Sequence, residues 1–172
     1  MTASGTPFDL GASWLASRPT GERRLALSPA EGWTSLLLLV FMLALVGWAI
    51  DDSRWVLGPQ SQTDFLPWAG VLGVLWGFAA AKLGWGRLVA HGLGAMLAIL
   101  FLVVMIGGQL APGEGLGEMV RAVAERTWGA WDDLVVQRRA TTGEVAHFLL
   151  VLGILAWGTG QFAGYAAYAH RR

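Results

Sequence analysis

Three polar side chains interrupt long apolar stretches of this sequence: His91, Thr159 and Gln161. Burying a polar group away from water is costly, so such residues are commonly bonded to one another or used in function. The imidazole of His91 could relay protons, lie at an interface, or pair with Gln161 or Thr159. For Thr159 and Gln161 we favour hydrogen bonds between helices, worth about 0.5–2 kcal/mol each.

A second polar group lies between the first two apolar stretches and consists of Asp51, Asp52, Arg54 and Asp64. Paired carboxylates could bind a hydrated cation or act as a general acid and base. Adjacent acids are more often solvated or paired with a nearby arginine, which here is Arg54. We therefore favour a structural role for this group.

The other polar residues form no catalytic pattern. His147 and His170 have no metal-ligand spacing around them, and no nucleophile stands beside a plausible base in the sequence. The chain contains no cysteine, which excludes a thiol nucleophile. We therefore predict no catalytic, cofactor-binding or metal-binding residue, and no enzyme activity, in this segment.

The composition indicates which class of protein must position these residues. Of the 172 residues, 55% are hydrophobic and 14% are charged, with a formal net charge of zero, whereas about 25% of a soluble domain is charged. This excludes a disordered chain, a disulfide-stabilised scaffold and a nucleic-acid-binding protein driven by bulk positive charge. The sequence predicts an integral membrane protein.

Four stretches are long and apolar enough to cross about 30 Å of hydrocarbon. They cover residues 33–50, 65–81, 88–107 and 145–169. Residues 1–27 form a polar tail without the continuous apolar core of a signal peptide. We predict an all-α integral membrane fold, with a four-transmembrane-helix bundle over residues 28–172.

The charged residues divide unequally between the two sides of such a bundle. The side with both termini and the 82–87 turn has seven basic and three acidic residues, and the other side has five basic and nine acidic residues. Basic residues in short loops favour the cytoplasm. We expect both termini to be cytoplasmic.

Small residues recur at every fourth position in three of the stretches, which allows neighbouring helices to approach closely. The sets are Ala69, Gly73, Gly77 and Ala81 in the second, Ala90, Gly94 and Ala98 in the third, and Ala156, Gly160 and Gly164 in the fourth. The first stretch has only Ala44 and Gly47 among large side chains, so we expect it to face lipid more than the others do.

Residues 115–136 predict one further, amphipathic helix on the extracytoplasmic side. Apolar residues recur there at helical spacing, while Glu118, Arg121, Glu125 and Asp132 fall on the opposite face. Such a helix could lie on the outer membrane surface or cap the bundle from outside. The sequence leaves both arrangements open.

Several short strings occur in the same order as in a known family. They are AEGW at 30–33, IDDSRWV at 50–56, TDFLPW at 63–68, GFAAAKLGW at 77–85, LVAH at 88–91, HFLLVLG at 147–153 and WGTGQF at 157–162. Together they resemble the N-terminal transmembrane region of bacterial transglutaminase-like integral membrane proteins, of the type found in Chloroflexi and related bacteria. The resemblance covers roughly residues 28–172.

The resemblance implies a place in the bacterial inner membrane. In such proteins further membrane helices follow, and then an extracytoplasmic transglutaminase-like domain with a Cys-His-Asp triad. Because this chain has no cysteine, no catalytic residue is carried over. We expect a non-catalytic domain that anchors and positions such an enzyme, as a fragment of a longer polypeptide or as a separate module.

Two other functions remain open from the sequence. The chain could be an autonomous small membrane scaffold or assembly subunit. It could also transport a neutral or lipidic solute through Gln161, Thr159 and His91, although charged mid-membrane residues are absent from the sequence. In each case the lipid bilayer is the expected partner, and no nucleic acid is expected.

Overall fold

The computed structural model describes residues 32–54, 62–139 and 145–169, and within these ranges all regular secondary structure is helical. The helices are α1 (Trp33–Asp52), α2 (Leu66–Leu83), α3 (Arg87–Leu110), α4 (Leu116–Trp131) and α5 (Ala146–Ala169), and a π-helical turn over Asp132–Val136 extends α4. Helices α1, α2, α3 and α5 are long and apolar enough to cross a membrane. The prediction of an all-helical fold with four such helices is confirmed, while the 1–27 tail lies outside the described residues.

The observed helix ends differ from the predicted ones by a few residues. Helix α2 continues to Leu83 and stops because Gly84 adopts a left-handed conformation, with φ of 80°. Helix α3 extends as far as Leu110 and α1 as far as Asp52, so both run past their apolar stretches. Hydrophobicity marks the apolar part of a helix, whereas backbone hydrogen bonds continue to the capping residue.

Helices α2 and α5 run parallel and form the most extensive helix pair of the bundle. Gly73 of α2 lies against the backbone of Trp157, and Gly77, one turn later, lies against that of Gln161. From the opposite helix, Gly160 lies against the Gly70 carbonyl. We call this contact the glycine seam. It confirms the small-residue packing predicted for these two helices.

Helix α1 packs on α2 from one side. Only Leu36 and Gly47 of α1 are buried, and a Cβ at Gly47 would lie 2.5 Å from the backbone nitrogen of Pro67. The other face exposes large apolar side chains, among them Leu37, Phe41 and Met42. The expected high exposure of this helix is confirmed.

Helix α4 packs against α3 and α5 at the end of the bundle where α2 and α5 begin. Its Val123 and Ala130 are buried, and a Cβ at Gly107 of α3 would lie 2.7 Å from the Cβ of Met119. Other apolar residues of the same helix remain exposed, including Trp128 at 71%. The helix therefore covers part of the bundle and leaves another apolar surface open.

Candidate functional site

Gln161 is a polar side chain that lies deep between α2, α3 and α5, with an exposed fraction of 5%. Its Oε1 accepts a hydrogen bond from the indole Nε1 of Trp157 at 3.1 Å. Its Nε2 lies 3.1 Å from the Ala90 carbonyl oxygen and 3.0 Å from Nδ1 of His91. Trp76 of α2 donates to the same Ala90 carbonyl at 3.0 Å. We call these five residues the Gln161 node.

The bonds of the Gln161 node determine where its protons lie. The indole of Trp157 can only donate and the Ala90 carbonyl can only accept, so the side-chain oxygen of Gln161 must face Trp157. The amide then has two hydrogens, one for Ala90 and one for Nδ1 of His91. Because Nδ1 accepts that hydrogen, the proton of neutral His91 is on Nε2.

Glycines provide the space that the Gln161 node occupies. A Cβ at Gly94 would overlap the amide group of Gln161, so this turn of α3 must lack a side chain. Gly73 and Gly77 bring α2 against the backbone of α5 beside the same residue. The small residues thus have two roles, since they allow backbones to approach and they make room for one polar group.

A small cleft opens beside the Gln161 node, between α3 and α5. It has a volume of about 150 Å³ and is lined by Arg87, His91, Phe162, Tyr165, Ala166 and Ala169. The ring of His91 stacks on Phe162 at a centroid distance of 6.5 Å. The ring of Tyr165 is tilted against the His91 ring, with a centroid distance of 5.3 Å. The hydroxyl of Tyr165 donates to the Trp85 carbonyl at 2.8 Å, which connects this end of α5 to the α2–α3 turn.

An aromatic cluster attaches α1 to the same end of the bundle. The Tyr168 hydroxyl lies 2.9 Å from the hydroxyl of Ser35 on α1. The ring of Tyr168 meets Phe78 edge to face at 5.1 Å, and Phe78 in turn lies 6.4 Å from Trp33. These contacts link α1, α2 and α5 through side chains that the sequence did not single out.

Thr159 is not part of this arrangement. Its side chain is exposed on α5, and no hydrogen bond joins it to His91 or Gln161. Residues 159 and 161 are two positions apart on a helix, so they face different directions. Of the two pairings considered for His91, the structure contains the one with Gln161.

The acidic group at the opposite end is divided between separate contacts. Asp51 accepts a hydrogen bond from the buried Thr63 hydroxyl at 2.6 Å, and Asp64 accepts one from Gln109 of α3 at 3.3 Å. Asp52 and Arg54 are exposed. Across the described ranges, no three His, Cys, Asp or Glu side chains are grouped so that they could hold a metal ion.

Sequence reasoning missed the partners of these polar residues. Trp76 and Trp157 lie within apolar stretches and were not identified as polar partners, yet both donate hydrogen bonds in the Gln161 node. Thr63 and Gln109 were not identified as the partners of the two aspartates. A mid-span tryptophan four residues before a glutamine is a signal that could have identified the Trp157–Gln161 pair.

Comparison of the chain with protein-family models, curated proteins and solved structures finds no match. In the Gln161 node, the described contacts satisfy buried polar groups and orient His91 beside a cleft. At the other end, they hold the start of α2 against α1 and α3.

Proposed function

We propose that this chain is a non-catalytic membrane module that anchors and positions an extracytoplasmic transglutaminase-like enzyme domain. That domain would belong to the same polypeptide or to a separate protein. The observation that carries the proposal is the seating of α4 on the bundle, with Val123 and Ala130 buried. The identity of the enzyme rests on the resemblance of residues 28–172 to the membrane region of such proteins.

Helix α4 has three distinct stripes, as a helix on the rim of a membrane bundle requires. Met119, Val123 and Ala130 face the bundle. Leu116, Val120 and Trp131 form an exposed apolar stripe, suited to the membrane interface. The charged stripe contains Arg121, which pairs with Glu118 at 2.6 Å and with Glu125 at 3.6 Å. This division favours a helix that touches bundle, lipid and water together.

The interior of the bundle supports an anchoring role. Both polar atoms of the Gln161 side chain are hydrogen-bonded within the Gln161 node, and the glycine seam brings α2 and α5 into backbone contact. Interlocked helices of this kind resist sliding, because every small displacement brings backbone atoms into collision. A rigid bundle can hold α4 in a fixed position relative to the membrane.

The proposal places the chain in a bacterial inner membrane, with both termini in the cytoplasm and α4 outside. The support is the excess of basic residues on the side of the 82–87 turn. Because the chain has no cysteine, Gly117→Cys and Gly86→Cys each introduce a unique thiol. Both positions have open space for a Cβ. A membrane-impermeant maleimide added to intact cells should label Gly117→Cys alone, and labelling of Gly86→Cys alone would contradict this orientation.

The partner can be tested by site-specific photo-crosslinking in native membranes. A photoreactive amino acid at Trp128, which is 71% exposed on α4, should crosslink to a transglutaminase-like domain. The matched control is Leu88, which is 91% exposed at the other end of the bundle and should yield no such product. Crosslinks from Trp128 to a protein without that domain would favour the scaffold or assembly subunit instead.

A further inference from the structure

We propose that the cleft between α3 and α5 binds the phosphate group of an anionic membrane lipid, through the Arg87 guanidinium and the Nε2–H of His91. This site is distinct from the α4 surface, and it does not depend on the identity of any enzyme partner. The ligand class follows from the donors that line the cleft and from the apolar character of its walls.

His91 presents a hydrogen-bond donor at the cleft. Its Nδ1 accepts from Gln161, so the ring presents an N–H donor at Nε2. Nε2 has no hydrogen-bond partner in the described part of the chain, and it is not among the buried unpaired atoms. The Gln161 node therefore holds the ring in one tautomer, with its free donor accessible.

Arg87 provides the positive charge of the cleft. This residue lines the same cleft as His91 and is exposed. It forms no ion pair with the described residues. A guanidinium presents planar N–H donors that match a phosphate in a two-point contact. Arg87 and His91 lie one helical turn apart on α3, so their donors reach one ligand from the same side.

The walls of the cleft favour a lipid over a soluble anion. The other cleft residues are two aromatic and two alanine side chains, which suit a glycerol backbone and the first carbons of an acyl chain. Leu88 and Val89, next to Arg87, expose 91% and 53% of their surface. A basic cleft between two apolar helices, near the end of both, is the arrangement in which lipid headgroups are bound.

The test is native mass spectrometry of the full chain in detergent, with phosphatidylglycerol or phosphatidylcholine added at equal concentration. We expect more bound phosphatidylglycerol, and a decrease of about fivefold in that preference for Arg87→Gln. The matched control is Lys82→Gln, which removes a positive charge near the same end but outside the cleft lining. Equal losses in both variants, or equal binding of the two lipids by the wild type, would overturn the proposal.

Two further measurements separate the lipid from other ligands. Inorganic phosphate and glycerol 3-phosphate, added at millimolar concentration, should leave the bound phosphatidylglycerol in place; its displacement by either would identify a soluble-anion site instead. In ¹⁵N spectra of histidine-labelled protein, phosphatidylglycerol should shift Nε2 of His91 and leave His147 unchanged. A spectrum in which His91 does not respond would contradict contact with the lipid even if Arg87→Gln loses binding.

Discussion

Helices α1 and α2 are neighbours, but α1 is mostly exposed and α2 is buried over half of its length. Within its most apolar 18 residues, α1 has 11% of positions buried, whereas α2 has 50%. Helix α1 is nevertheless the more hydrophobic of the two. Most of its large side chains, among them Leu37, Leu38 and Phe41, are exposed, while α2 presents Gly73 and Gly77 to α5.

The contrast shows that hydrophobicity does not decide which apolar helix is buried in such a bundle. In a bilayer, lipid tails are as apolar as leucine side chains, so large apolar residues would gain little by leaving lipid for protein. Small residues gain close backbone packing, and polar residues such as Gln161 gain hydrogen bonds. The helix that is richer in glycine therefore occupies the centre, and the helix that is richer in leucine lies outside.

The largest effect should come from adding one methyl group to the glycine seam. Gly160→Ala places a Cβ against the Gly70 carbonyl, and we expect the free energy of unfolding to fall by about 3 kcal/mol. The measurement is reversible unfolding in mixed micelles, followed by circular dichroism. Gly158→Ala on the same helix meets no atom within 4 Å and should be neutral or slightly stabilising. Equal effects of the two changes would mean that the seam does not hold the bundle together.

The next largest effect should follow from removing the amide of the Gln161 node. Gln161→Leu leaves the Trp157 indole and Nδ1 of His91 without their partner, and we expect a loss of about 2 kcal/mol in unfolding free energy. Thr159→Val, a matched polar deletion on the exposed face of α5, should change it by about 0.5 kcal/mol or less. A larger loss for Thr159→Val would show that Thr159 has a role the described contacts do not explain.

A smaller effect is expected where α1 meets α2. Gly47→Ala would bring a Cβ to 2.5 Å from the nitrogen of Pro67, but α1 can move outward because its other face is open. We expect a loss of about 1 kcal/mol, together with faster hydrogen exchange in α1 than in α5. Gly92→Ala, which has open space on α3, is the control. Faster exchange in α5 as well would indicate that α1 is as central as α2.

An effect no larger than that of Gly47→Ala should distinguish the two adjacent aspartates at the end of α1. Asp51→Ala removes the acceptor of the buried Thr63 hydroxyl, with an expected loss of about 1 kcal/mol in unfolding free energy. Asp52→Ala removes an exposed carboxylate and should have little effect. A reversed order would argue against the Thr63 bond as a link between α1 and the start of α2.

The sequence predicted the helices and the packing faces well, because both depend on local patterns. Four apolar stretches and a spacing of four between small residues are properties of single segments, and Gly73, Gly77, Gly160 and Gly164 all lie in the seam. Which two helices the seam joins was beyond local reasoning. Helices α2 and α5 are far apart in the chain, and small residues alone do not indicate which other helix packs against them.

The polar site was only partly predictable for the same reason. The pairing of His91 with Gln161 was one of several alternatives from residue type alone, and the structure contains it. The two indole donors and the shared Ala90 carbonyl could not be inferred. Every residue has a backbone carbonyl, so the residue type does not indicate which carbonyl accepts a side-chain hydrogen bond. The acids of the first loop were treated as one group from the sequence, whereas Asp51 and Asp64 have separate partners on other segments that the sequence did not indicate.

The parallel arrangement of α2 and α5 has a consequence for the order of assembly. A ribosome completes α2 before it makes α3, α4 and α5. The face of α2 that forms the glycine seam therefore has no partner until α5 is synthesised. The α1–α2 hairpin, in which Gly47 meets Pro67, can form in the meantime. The Gln161 side chain becomes available only with α5. Closure of the bundle and formation of the Gln161 node are therefore one late event in the biosynthesis of this protein.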